Sequence, residues 1–337
     1  MLGKKTGKFF EVGLDSYSLR PLNLDPFELL DWVKKNGGDG VQFSEVNLPR
    51  GRRLDKTFLR DLSQYARERR LFLEWGGGQH IPFDLRTGRP VDIFKVNRRA
   101  AEQAQALGVT SVRSCSGGLM RWTDDSPPTG VLLQAMAQSL LAQKLMLDDL
   151  GVTLAIETHF EFTTFELLRL FAACEARPGE YLGICLDTMN LLTMIEDPVM
   201  ATKRVLPWVV MTHLKDGGIL LTENGLVTFP VEVGKGIVDL EEIIRLLAAL
   251  GHRLHLSLED HGGEFLIPIF NPSFLLKFPD LSPVELSRIL SLALETQKRV
   301  ESRDMAVVER DRWPEVCEGR VRNGLRNIKK IIDRRGL

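Results

Sequence analysis

Residues 152–159 read V-T-L-A-I-E-T-H, a short apolar run that stops abruptly at a carboxylate and an imidazole. In an extended strand, successive side chains point to opposite faces. Glu157 therefore shares its face with Ala155 and Thr153, while Ile156, Leu154 and Val152 line the other. The greasy face wants covering by helices; the small-residue face ends in an acid. Three later runs repeat this design. L-G-I-C-L-D (182–187) sets Asp187 beside Cys185 and Gly183, V-V-M-T-H (209–213) ends in His213, and L-H-L-S-L-E (254–259) ends in Glu259 above Ser257 and His255. A fold that gathers these four residues must run the four strands in parallel, with their carboxyl ends converging.

The rest of the chain fits that demand. Strands are expected near residues 10–16, 39–44, 71–75 and 109–114, ahead of the four already named. Helices alternate with them. One opens at Asp25-Pro26 and closes at Gly37, and others cover about 55–70, 91–107, 131–150, 198–206, 240–250 and 283–302. Asp as N-cap, Pro at the first helical position and Gly past the end are the expected punctuation. Thr163 and Glu166 form a T-x-x-E capping box for a further helix. The stretches 216–236 and 261–281 read as long loops. Strand–helix alternation implies a parallel sheet, and eight units close it into an α/β (β/α)8 TIM barrel over residues 1–302. A doubly wound open sheet would want a G-x-G-x-x-G after the first strand, and none is there. Residues 303–337 read as a C-terminal helical extension packed on the barrel, with Val321, Leu325, Ile328, Ile331 and Ile332 as its docking side. Its basic residues fit a solvated face or an anion- or partner-binding tail.

Composition narrows the function. With 337 residues, 44% of them hydrophobic, the chain can bury a large core, and a net charge of −1 gives no field to attract nucleic acid. Six histidines and that charge argue against a multi-zinc nuclease with a basic groove. The four cysteines (Cys115, Cys174, Cys185, Cys317) show no C-x-x-C spacing, as expected of thiols in a reducing compartment. The N-terminal M-L-G-K-K-T-G-K-F-F lacks a signal-peptide core, and no run approaches the roughly 18–20 apolar residues of a membrane span. A cytoplasmic protein without a membrane partner is expected.

In barrels of this kind, chemistry sits at the carboxyl ends of the strands, where the four residues fall. Two glutamates, an aspartate and a histidine make an oxygen-rich site suited to Mn²⁺, Mg²⁺ or Co²⁺, and less specifically to Zn²⁺. A chelated ion polarises a carbonyl, and two carboxylates can share acid and base roles in moving the neighbouring proton.

I-E-T-H, L-D-T-M-N, T-H-L-K-D, V-G-K-G-I-V-D and the closing L-E together resemble the xylose-isomerase-like sugar phosphate isomerase/epimerase superfamily. The resemblance spans roughly residues 10–300, with spacings of 30, 26 and 46 residues between positions 157, 187, 213 and 259. It implies one divalent ion, most often Mn²⁺, on Glu157, Asp187, His213 and Glu259. It also implies Glu157 and Glu259 as the proton-transfer pair of an isomerase or epimerase working on a sugar or polyol ketone through an enediolate. Asn190 and Ile219 stand where the resemblance to sugar 3-epimerases would place a histidine and an arginine. The alternative is a lyase of the same fold, either an inosose-type dehydratase or a subunit of a 3-oxo-glycoside or C-glycoside deglycosidase. A homo-oligomer is expected, and under the lyase reading the tail would seat a small partner subunit.

The residues around the quartet leave choices open. His159 is a candidate proton donor, an exposed loop residue or a partner that supports a ligand from behind. Asn190, Lys215, His80, Trp75 and Arg113 are candidates for binding the carbohydrate, as are His261 and Trp122 on the rim. Asp216 pairs with Lys215 in that list. Arg113, beside Ser114, fits either an anion on the substrate or a salt bridge at the barrel end. His255 lies a layer below Glu259 and fits core packing.

Overall fold

The structure, a computed structural model, describes residues 10–84, 87–118, 120–123 and 126–337. The basic stretch 1–9 lies outside them.

Eight parallel strands form the barrel: β1 (Glu11–Asp15), β2 (Gly40–Phe43), β3 (Phe72–Gly78), β4 (Ser111–Ser114), β5 (Thr153–Glu157), β6 (Leu182–Asp187), β7 (Val209–His213) and β10 (His255–Leu258). Each pairs with the next, β10 returns to β1, and the ring closes through Leu214 against Leu258. Two bonds make that closure: Leu214 N–H donates to Ser257 O at 2.8 Å and Glu259 N–H to Leu214 O at 3.2 Å. Glu259 is thus tied to the seam.

The face assignments from period 2 hold. Ala155, Cys185 and Met211 form a small apolar layer inside the ring. Leu154, Ile156, Leu182, Ile184 and Leu186 join the main core between strands and helices, which runs from Phe10 to Ile332. Small inward residues matter because a Cβ at Gly13, Gly40 or Gly183 would strike the neighbouring strand or the Phe72 ring. Helix starts follow the expected caps, with reciprocal capping boxes at Asp25–Glu28 and Thr163–Glu166.

Three departures from the sequence reading stand out. The expected loop 216–236 contains an antiparallel hairpin, β8 (Asp216–Thr222) and β9 (Gly225–Val231), and β11 (Phe265–Ile267) from the second expected loop adds a third strand. I-L-L-T-E-N-G-L-V-T-F carries the reason: two β-prone runs around an N-G turn signal. The expected helix 131–150 is two helices, Thr129–Leu141 and Lys144–Leu150, parted where the buried Gln143 accepts from Asn97 at 2.8 Å. Asp216 is neither a surface residue nor a sugar contact. It is 1% exposed, and its carboxylate accepts from the backbone N–H of Gly217, Gly234, Gly236 and Val238, pinning the turn after the hairpin.

The C-terminal helix, Trp313–Arg335, packs on β1 and β10 with all five expected docking residues buried. Several of its basic residues serve local pairs, Lys329 with Asp39 at 2.7 Å and Arg334 and Arg335 with Glu241. Among the described residues, no helix is long and apolar enough to cross a membrane.

Asp216→Ala strands four backbone donors, at least one of them buried. It should lower unfolding stability by about 2–4 kcal/mol in denaturant titration, whereas an exposed loop acid would change it by less than about 0.5 kcal/mol.

Candidate metal centre and its surroundings

Glu157, Asp187 and His213 end β5, β6 and β7, and Glu259 follows β10 by one residue. One ligand atom from each lies within 4.8 Å of the other three, and all four residues are buried. The sequence-predicted quartet is therefore a single cluster in space.

Each member is held differently. The His213 Nδ1 atom faces Glu157 Oε1 at 3.3 Å and Glu259 Oε2 at 3.0 Å. Its Nε2 faces the Gln42 amide and lies 3.5 Å from Asp15 Oδ2. Gln42 Oε1 has no partner among the described residues. The ring thus presents Nδ1 to the two glutamates and Nε2 to Gln42 and Asp15. Glu157 Oε2 accepts from Arg113 Nε at 2.6 Å. Asp187 Oδ1 accepts from the N–H groups of Met189 and Asn190 at 2.9 and 2.8 Å, and its Oδ2 lies 3.5 Å from Lys215 Nζ. Glu259 Oε2 sits 3.6 Å from the same ammonium but makes no regular hydrogen bond among the described residues.

The electrostatics follow from burial and these contacts. Burial works against ionising Glu157 and Glu259. The cations Arg113 and His213 outweigh it for Glu157, as Lys215 and His213 do for Glu259, holding both carboxyls well below the usual range. Burial pushes Asp187 up to about 7, with Lys215 pulling against it. Three carboxylates thus face Arg113, Lys215 and the His213 imidazole, where burial opposes protonation but the surrounding negative charge, Glu157 and Glu259 included, raises the proton affinity well above the ordinary value. This donor set suits a divalent cation of intermediate hardness, and the orphaned Glu259 Oε2 is an oxygen such an ion would satisfy. The cluster could hold a metal ion.

A second grouping, Cys115, Glu157 and His159, also falls within 4.8 Å. Two of its three members are already engaged: Arg113 holds Glu157 Oε2, and His159 Nδ1 turns to Glu161 at 3.0 Å.

Lys215 and Asn190 lie against the quartet, and the Asn190 Nδ2 atom is buried without a partner among the described residues. Arg113 takes the salt-bridge reading. His159 stands beside Glu157, its ring tilted by 36° against Phe160 with centroids 3.9 Å apart. Trp75 is a correction. Glu74 points inward to Ser257 and His255, so its neighbour Trp75 points out, where its indole donates to Gln103 in the helix following β3. It cannot stack on a substrate. Trp122 donates to Leu266 O and packs among Phe265, Phe274 and Phe278. His255 bonds Glu74 and stacks on Phe72, as core packing requires. His261 bonds Gly262 O at 2.9 Å and meets the Tyr17 ring edge-on.

Sequence reasoning missed Asp15 and Gln42. Both carry the pattern used to find the quartet, a polar residue near the carboxyl end of a strand, on the face opposite its aliphatic neighbours.

His80 is fully buried, with Nδ1 2.8 Å from Ser114 Oγ, and burial lowers its pKa from 6.5 to about 4. Folding therefore excludes a proton the unfolded chain binds. The stability contribution is intact above about pH 6.5 and lost as pH falls toward about 4. Acid titration of unfolding should show this group removing up to about 3 kcal/mol over that window. His80→Gln should flatten the slope; an unchanged slope would contradict the assignment.

Comparison with known proteins agrees with the barrel fold. The family of xylose isomerase-like TIM barrels matches residues 30–273. The uncharacterised protein YihM of Escherichia coli (strain K12) is 25% identical over 152 residues, 45% of this chain and 45% of YihM, so the match spans under half of that relative. Among solved structures, an L-ribulose 3-epimerase superposes with a TM-score of 0.58 at 16% identity, covering 88% of this chain and 98% of the epimerase. The probable 3-DHS dehydratase AsbF of Bacillus anthracis does so with 0.55 at 17%, covering 74% and 92%. At those identities the likeness is one of fold. The eight-stranded ring and the extent of the family match place this chain in the xylose isomerase-like TIM barrel family.

Proposed function

We propose that this protein is a divalent-metal-dependent isomerase or epimerase of a sugar or polyol ketone, working by proton abstraction next to the carbonyl through an enediolate. The observation that carries the reading is the buried convergence of Glu157, Asp187, His213 and Glu259 at the carboxyl ends of the barrel strands. Solved sugar epimerases of the same fold support the substrate class.

An ion held by the quartet, Mn²⁺ by expectation, would supply Lewis-acid polarisation of the substrate carbonyl. The chain's own groups do the rest. Glu157 and Glu259, from strands separated by two others, take and return the proton. Arg113 keeps Glu157 ionised and fixes its direction. The Lys215 ammonium offsets negative charge developing on the substrate oxygens. Asn190 and His159 offer the polar contacts nearest the ligands. The four free cysteines fit a reducing, cytoplasmic setting.

One observation favours the lyase reading. His159, beside Glu157 and bonded to Glu161, is a separate proton carrier suited to a departing group. The dehydratase of similar fold belongs with it.

Proton NMR of the Mn²⁺-loaded protein in D₂O, with ketoses, inososes and 3-oxo-glucosides, separates the two. Deuterium entering the carbon next to the carbonyl, with a new epimer or isomer, is the expected result. Loss of a β-substituent would replace it with the lyase. Glu157→Gln should slow whichever reaction is seen by ~10²–10⁴-fold. A rate unchanged in that variant would overturn the proton-transfer role.

A further inference from the structure

The three carboxylates of the quartet are not equally supported. Arg113 clamps Glu157, and two backbone N–H groups fix Asp187. Glu259 Oε2 has only ion-pair neighbours, so its placement depends on the backbone that carries it. That backbone is gripped from outside the barrel. Asp260, the next residue, is 1% exposed and accepts a two-pronged bond from Arg320 of the C-terminal helix, Nε to Oδ2 at 2.9 Å and Nη2 to Oδ1 at 2.6 Å. The guanidinium lies 5.2 Å from the centre of the Trp313 ring.

A second set of contacts closes a loop around the same point. Trp313 Nε1 donates to Ser18 O at 3.2 Å, and the Asp260 N–H donates to Ser18 Oγ at 3.0 Å. The turn after β1, the C-terminal helix and the residue after Glu259 are therefore one hydrogen-bonded unit. Further along, the helix packs against β10 at Gly324, where a Cβ would strike the side chain of Leu258, the residue before Glu259. Both neighbours of Glu259 are thus fixed by the same helix.

We propose that Arg320 is a positioning residue for the metal centre: by holding Asp260 in a two-pronged bond, the C-terminal helix sets Glu259 in ligating geometry. This rests on the quartet being a metal site. A buried fork of this kind is sensitive to chemistry as well as charge, because lysine supplies one ammonium and cannot make two parallel bonds. Partners that orient a ligand typically change metal affinity 10–100-fold when removed.

The test is Mn²⁺ affinity of the full chain, by titration of free Mn²⁺ with electron paramagnetic resonance, beside the melting temperature of the metal-free protein. Arg320→Lys should weaken Mn²⁺ binding by about 10-fold or more while the metal-free protein melts close to wild type. Should Arg320→Lys fold poorly, the neutral pair Asp260→Asn/Arg320→Gln avoids a lone buried charge and should show the same loss. Arg335→Met, which removes an exposed pair on the same helix, should bind Mn²⁺ as wild type does. Wild-type affinity in the Arg320 variants, or a loss equally large in Arg335→Met, would overturn the positioning role. Failure of the metal reading looks different: wild type and Asp187→Asn would then both bind no Mn²⁺.

Discussion

Three carboxylates buried within a few ångströms of one another are the constraint on which this structure turns. Such a cluster repels itself in a medium that screens poorly, and it persists only if positive charge is built around it. The protein supplies that charge from separate directions: Arg113 on Glu157, Lys215 between Asp187 and Glu259, and His213 between the two glutamates. A divalent cation is the partner this arrangement is suited to, with the His213 proton as the charge it would replace.

The scaffold follows from that centre. The inner face of the ring is kept narrow by glycines and by Ala155, Cys185 and Met211, so that the strand ends can converge. The apolar bulk is moved to the outer face, beneath the helices. The last helix covers the strands either side of the β10–β1 boundary and touches the site through Asp260. Around the carboxyl end, the hairpin, β11 and the aromatic group of Trp122, Phe160, Phe265, Phe274 and Phe278 pack over the barrel.

Much of the site was legible because it is written with the simplest periodicity a chain has. A strand that alternates faces and ends in a polar residue declares which way that residue points, and Glu157, Asp187, His213 and Glu259 each did so. The same logic, carried to β3, would have shown that Glu74 and Trp75 cannot both face inward; choosing Trp75 for its sugar-stacking chemistry overrode its register. The hairpin was missed because loop length was weighed above the N-G turn between two β-prone runs. Arg320 and Asp260 were beyond reach for a different reason. Their bond joins residues 60 positions apart on elements whose relative placement only the closed ring determines.

The central claim is that the quartet is one divalent-metal site. Anomalous diffraction from crystals of the protein grown with Mn²⁺ tests it most directly. A single anomalous peak at ligating distance from Glu157, Asp187, His213 Nδ1 and Glu259 is the predicted result. Crystals that show no peak there, or a peak only on other residues, would contradict it.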